Sequence, residues 1–228
     1  MNEIPLPRRC LAEFFGTYFL LFAGCGAIVI NDVAHSPITH PGIALSFGLV
    51  VMAMIYAIGD VSGAHINPAV TLAFWFGKRF PQREVVPYIA SQFAGGVAAS
   101  ATLNTLFEHK TLGATIPRPG FVYESLVLEV ILTAMLLYII LGVSTGSKEK
   151  GVLAGIAIGG TIALEAMFAG PICGASMNPV RSLGPALVSG NLANQWIYIV
   201  GPIGGALLGV LMARVTIDSP KTESDGAE

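Results

Sequence analysis

The sequence predicts an all-α membrane protein with six transmembrane helices and two re-entrant half-helices, arranged as an inverted internal repeat. Three observations carry this. Of the 228 residues, 54% are hydrophobic and only 11% charged, with mean hydropathy +0.71, whereas soluble domains hold about 25% charged residues. Six stretches, near 9–31, 41–60, 85–107, 121–143, 152–170 and 195–216, reach roughly the 20 apolar residues that cross a bilayer. Two shorter apolar stretches, 67–77 and 178–188, each follow an Asn-Pro pair.

In the first span, Phe22-Ala23-Gly24-Cys25 looks like a lipoprotein cleavage box, but the apolar run continues through Ala27-Ile28-Val29-Ile30. That continuation and the early Glu13 keep the segment as a membrane span rather than a cleaved signal. After the second span comes Ser62-Gly63-Ala64-His65-Ile66-Asn67-Pro68-Ala69-Val70-Thr71. After the fifth comes Gly174-Ala175-Ser176-Met177-Asn178-Pro179-Val180-Arg181-Ser182. Proline suits the first position of a helix, where a missing N–H leaves nothing unpaired. Asparagine just before it caps the free N–H groups of the first turn. Each copy therefore starts a helix too short to span.

The halves repeat. Glu13-x-x-x-Thr17 recurs as Glu129-x-x-x-Thr133, Asn67-Pro68 as Asn178-Pro179, and Tyr88-Ile89 before Gly95-Gly96 as Tyr198-Ile199 before Gly204-Gly205. The offsets are 116, 111 and 110 residues. Repeat one covers about 8–110 and repeat two about 120–216, in a single domain over 1–228 with a polar tail at 217–228. Three spans per repeat force the copies to lie upside-down to each other, and matching interrupted segments point to a midplane site between them. Arg8, Arg9, Lys78, Arg79, Arg83, Lys148, Lys150, Arg214 and Lys221 fall on one side, and only Lys110 and Arg118 on the other. The positive-inside rule then makes both termini cytoplasmic. The half-helices enter from opposite sides, and irregular backbone at that depth must be buried or line a watery cavity.

Several function classes are excluded. There is no basic tract long enough to track phosphates, and so no nucleic-acid partner. Cys10, Cys25 and Cys173 have neither disulfide nor zinc spacing. His35, His40 and His109 fall in outer loops as solvated side chains, and no group of histidines has metal spacing. No nucleophile–base pair or phosphate loop points to an enzyme, and no cofactor is implied.

The paired Asn-Pro motifs, the duplicated Glu-x-x-x-Thr and Arg181 after the second motif resemble the aquaporin, or major intrinsic protein, family over residues 8–216. Gly170-Pro171-Ile172-Cys173-Gly174-Ala175-Ser176-Met177-Asn178-Pro179-Val180-Arg181 is most similar to the nodulin-like, aquaglyceroporin-type branch. The resemblance implies a homotetramer in the plasma (inner) membrane, with a passive pore in each protomer and lipid around it. It implies conduction of water and small uncharged solutes (glycerol, arsenite or boric acid) with protons and ions excluded. A strict water channel is the alternative. A secondary transporter also uses inverted repeats, but it would need a coupling-ion site. A poorly conducting junctional scaffold is a third reading, against which the polar pore residues speak.

On this reading Asn67, Pro68, Ala69 and Asn178, Pro179, Val180 form the pore-facing half-helix starts. The asparagines spend their oxygens on capping and keep N–H donors for the solute. By spacing, Phe47, Ala166, Ala175 and Arg181 align with the family's selectivity filter, and Ala166 stands where strict water channels place histidine. Ser182 and Ala186 depart from the Asp and Lys of glycerol facilitators. Glu13 and Glu129, one per repeat, are expected to accept from the re-entrant backbone, with His65 in structural support or lining the pore. Cys173, on the approach to the second motif, is either a mercurial target or a small buried residue.

Overall fold

Eight helices follow one another in the computed structural model, which describes residues 4–144 and 148–217. They are α1 (Leu6–Val33), α2 (Thr39–Ser62), α3 (Pro68–Phe76), α4 (Gln82–Leu106), α5 (Val122–Val143), α6 (Lys148–Cys173), α7 (Pro179–Ser189) and α8 (Ile197–Thr216). The described residues contain no strand. The tail beyond Ile217, with Lys221, lies outside the described residues, as do the side chains of Lys148 and Lys150.

The two short helices are α3 and α7, with 9 and 11 residues, where the Asn-Pro pairs place them. Of the six long helices, five are apolar enough to span by composition. The exception is α4, which is long enough at 25 residues but opens on Gln82-Arg83-Glu84 and carries Ser91, Gln92 and Ser100 along its length. Its polar groups are spent inside the protein. Gln92 and Ser100 are fully buried, and Glu84 takes a bidentate ion pair from Arg9 at 2.7 and 2.8 Å.

Packing follows the repeat. In the first half α1 packs on α2 and α4; in the second α5 packs on α6 and α8. Between halves α2 lies on α6, α4 on α7 and α3 on α8. Exchanging the halves maps this set of contacts onto itself, as a two-fold relation requires. The halves are copies, and three full crossings in each invert one against the other.

Glycines set the closest approaches, as small residues do where lipid gives no hydrophobic drive between helices. At the α2–α6 crossing a Cβ on Gly159 would stand 2.5 Å from the Gly48 carbonyl oxygen. Gly95 faces the Phe14 carbonyl and Gly205 the Val130 carbonyl in equivalent places. Gly204, next to it in the chain, has open space where its Cβ would be. Phe15, Phe19, Leu49, Val127, Ile131 and Phe168 are exposed on the outer faces, as a lipid-facing belt should be.

These contacts predict that Gly205→Ala destabilises the protein while Gly204→Ala leaves it unchanged. The added methyl at 205 would meet Thr133 Cβ at 2.9 Å, an overpacking cost of about 1–3 kcal/mol. Thermal unfolding midpoints of the two variants in detergent check it.

Candidate functional site

The chain between α2 and α3, and again between α6 and α7, alternates in handedness. Gly63, Ala64 and Ile66 have φ of 86°, 48° and 42°; Gly174, Ala175 and Met177 have 82°, 43° and 54°. Four of these are not glycine, and each costs of order 1 kcal/mol in the left-handed region. The bonds that the loops make offset that cost. In the first loop the His65 and Ile66 N–H groups donate to Glu13 Oε1 and Oε2 at 2.9 and 2.6 Å. In the second, the Ser176 and Met177 N–H groups donate to Glu129 Oε1 and Oε2 at 2.7 and 2.8 Å. Both carboxylates are fully buried.

The repeats differ in what else supports them. Glu13 also accepts from Ser62 Oγ at 2.7 Å and Gln92 Nε2 at 2.8 Å. The repeat-equivalent positions in the second half hold Cys173 and Pro202. Near Glu129 stands instead Glu165, on α6 beside Ala166, wholly buried and with neither oxygen hydrogen-bonded among the described residues. A third carboxyl at membrane depth is a finding that the repeat pattern did not reveal.

Asn67 caps α3 through its Oδ1, which accepts from Ala69 N–H at 2.8 Å. Asn178 caps α7 by accepting from Val180 and Arg181 N–H at 3.1 and 3.4 Å. Neither amide nitrogen is wholly free. Asn67 Nδ2 donates to the Met177 carbonyl at 2.8 Å, and Asn178 Nδ2 to the Ile66 carbonyl at 2.9 Å. One N–H of each amide is thus spent on the opposite loop, and one remains. This exchange joins the two half-helix N-termini end to end.

Two cavities meet at this place. The inner one, about 160 Å³, is lined by both asparagines, by His65 and by apolar side chains reaching Leu136 and Ala154. The outer one, about 410 Å³, is lined by residues including His40, Thr115 and Gly174. Four residues line both: Phe47, Ala166, Ala175 and Arg181. These are the four that spacing picked out. Arg181 lies over the Phe47 ring at 4.7 Å and donates from Nη1 to the Gly113 carbonyl at 2.7 Å. It is 4% exposed, so the cation is held by a carbonyl and a ring rather than by bulk water.

Other candidates lie behind the path. Pro68, Ala69, Pro179 and Val180 line neither cavity, and Val180 packs on Gly96. His65 does both things allowed for it: it lines the inner cavity, bonds Thr71 Oγ1 through Nδ1 at 3.1 Å and stacks on Phe74. Cys173 is buried, accepts from Ala175 N–H at 3.4 Å and lines neither cavity, so it is no pore-facing thiol. Ser182 links Ser176 Oγ at 2.5 Å to Thr115 Oγ1 at 2.7 Å, tying the loop before α5 to the second half-helix. His109 is not solvated: its side chain is 11% exposed. Among the described residues, no three His, Cys, Asp or Glu side chains cluster as metal ligands.

The carboxyl arrangement predicts opposite outcomes for two substitutions. Glu129→Gln sets an NH2 group against one of two backbone donors and should cost about 1–3 kcal/mol. Glu165→Met, which installs the residue at repeat-equivalent position 54, removes an unpaired buried carboxyl and should raise the unfolding midpoint. Calorimetry or fluorescence melting in detergent compares them.

The profile of the major intrinsic protein family matches residues 1–213. Aquaporin NIP1-1 of Oryza sativa subsp. japonica is 51% identical over 209 residues, covering 91% of this chain and 73% of that protein. Nodulin-26 of Glycine max is 43% identical over 226 residues, covering 97% and 83%. The X-ray structure of the aquaglyceroporin from Plasmodium falciparum shares the fold, with TM-score 0.85 at 23% identity, over 95% of this chain and 98% of that one. Repeat, re-entrant loops and relatives agree: the chain belongs to the major intrinsic protein family, in its nodulin-like branch.

Proposed function

We propose that this membrane channel passively conducts water and small polyhydroxylated neutral solutes, of the kind of glycerol, arsenite or boric acid, through the constriction between Phe47, Ala166, Ala175 and Arg181. The observation that carries the reading is the sharing of those four residues, and no others, by the two cavities. Two of the four contribute only a methyl group. Phe47 offers a ring face to a solute's carbon edge. Arg181, with one of its five N–H groups on Gly113, keeps donors for hydroxyl oxygens.

Past the constriction, the remaining N–H of Asn67 and of Asn178 serves the solute in turn. Pro68 and Pro179 open the half-helices, Ala69 and Val180 pack them, and Glu13, Glu129 and His65 hold the loops. A helix N-terminus carries about half a positive charge, and the two that meet here, with Arg181, repel cations and protons. This electrostatic exclusion is the general account for aquaporin-type channels. The assembly is a homotetramer in the plasma membrane, each protomer with its own pore, and both termini face the cytoplasm. The count of basic residues supports that orientation.

Stopped-flow light scattering on proteoliposomes tests the solute range. Glycerol should enter quickly through the wild type, and Ala166→His, which puts a bulky imidazole into the constriction, should suppress glycerol severalfold while water flow persists. A wild type that passes water alone, with Ala166→His no different, would make this a strict water channel.

A further inference from the structure

The loop between α4 and α5 supplies the carbonyl that holds Arg181, and one side chain ties the turn presenting that carbonyl to α1. Gly113, whose oxygen accepts from Arg181 Nη1 at 2.7 Å, follows Leu112 in a pair of left-handed residues with φ of 52° and 73°. Leu112 is fully buried. Gly113 lies so close to α1 that a Cβ would meet Cys25 at 3.0 Å. A non-glycine residue in that conformation persists only when its surroundings hold it there.

His109 ties the start of this turn to α1. Its Nδ1 lies 2.9 Å from the Leu112 N–H and 3.4 Å from the Thr111 N–H, both donors. Its Nε2 lies 3.0 Å from Asp32 Oδ2, at the end of α1. These partners permit one tautomer: Nδ1 bare and accepting, Nε2 protonated and donating. The turn is also closed by its own backbone, the Ala114 N–H donating to the Thr111 carbonyl at 2.9 Å, while the side-chain ties Thr115 Oγ1 to Ser182 and Gln195 Nε2 to the Thr115 carbonyl come after Gly113 in the chain. On the near side, the anchor to α1 runs through His109.

We infer that His109 is a positioning residue for the Arg181 constriction, and that protonating its ring releases the turn that presents the Gly113 carbonyl and so lowers flow through the channel. An imidazolium donates from both nitrogens. The proton on Nδ1 would point at two N–H groups, so the bond to Leu112 is lost while the bond to Asp32 survives. Arg181, buried and deprived of its carbonyl, turns to the acceptors that line the path and narrows it. The charged or titratable groups facing this turn are Asp32 and Cys25 from α1 and Arg181 from α7; Glu108 and Lys110 flank His109 on its own loop.

The inference rests on Arg181 lining the constriction, but not on which solutes pass. Water flow is therefore the readout, taken as the ratio between about pH 7.5 and about pH 5, the range in which imidazoles change charge. Full-length protein in proteoliposomes should lose water permeability severalfold on acidification. His109→Gln, which can accept from Leu112 and donate to Asp32 but takes up no proton, should give a ratio near one. Asp32→Ala removes the acceptor that anchors the ring to α1, so it should lower water flow already at about pH 7.5 and shrink the loss on acidification; this arm serves if the His109 variant does not fold. A wild-type ratio of one overturns the inference, as does an acid loss retained by His109→Gln or an undiminished one in Asp32→Ala. Arg181→Val should abolish the response. A response that survives it would trace the loss to somewhere other than the constriction.

Discussion

Two stretches of backbone enter the middle of a helical membrane protein without a helix to pair their N–H groups, and the structure depends on how those groups are satisfied. In hydrocarbon an unpaired N–H costs several kcal/mol, so four of them would outweigh the margin on which most proteins stand. Glu13 and Glu129 take all four, two each, and the bonds are of the stronger charge-assisted kind. The exchange is mutual: a buried carboxyl would itself be costly without donors. The loops keep left-handed backbone at Ala64, Ile66, Ala175 and Met177 because that geometry turns neighbouring donors toward one acceptor.

With the loops fixed, the rest follows by contact. The left-handed turns bring the Met177 and Ile66 carbonyls to the amides of Asn67 and Asn178, and the crossed bonds lock one half-helix onto the other. That junction aligns Ala175 and Arg181 of the second repeat with Phe47 and Ala166 from α2 and α6. The α2–α6 crossing can be that close only because Gly48 and Gly159 stand opposite each other. Support is uneven, however. Glu13 has two side-chain donors beyond the loop, whereas Glu129 has the Cys173 thiol and the unpaired Glu165 for neighbours. The second loop, which leads into α7 with Arg181, is also tied to the α4–α5 loop through Ser182 and Thr115.

Much of this was legible in the chain. Glu13 and Glu129 announced themselves as charges inside apolar runs, and the Asn-Pro pairs as helix starts with too little apolar sequence behind them to span. What the repeat did not carry was harder to see. Glu165 has Met54 as its repeat equivalent, so symmetry offered no hint, though a carboxyl within a span was itself a signal. The cross-bonding of the amides needs the loops in place, because the partners are 110 and 112 residues apart. His109 and Gly113 sit in a polar connection that composition marks only as a loop. Cys173 stayed open between two readings because adjacency to a motif does not tell which way a side chain faces.

On the proposed reading, flow passes between Phe47, Ala166, Ala175 and Arg181. A thiol placed there tests it most directly, because the buried Cys25 and Cys173 are in neither cavity and offer the pore no native target. Ala166→Cys and the wild type would be treated in proteoliposomes with a small water-soluble thiol reagent, labelling verified by mass, and water permeability compared before and after. The labelled variant should be blocked and the wild type should not. A variant labelled at residue 166 that still conducts at its untreated rate would contradict it.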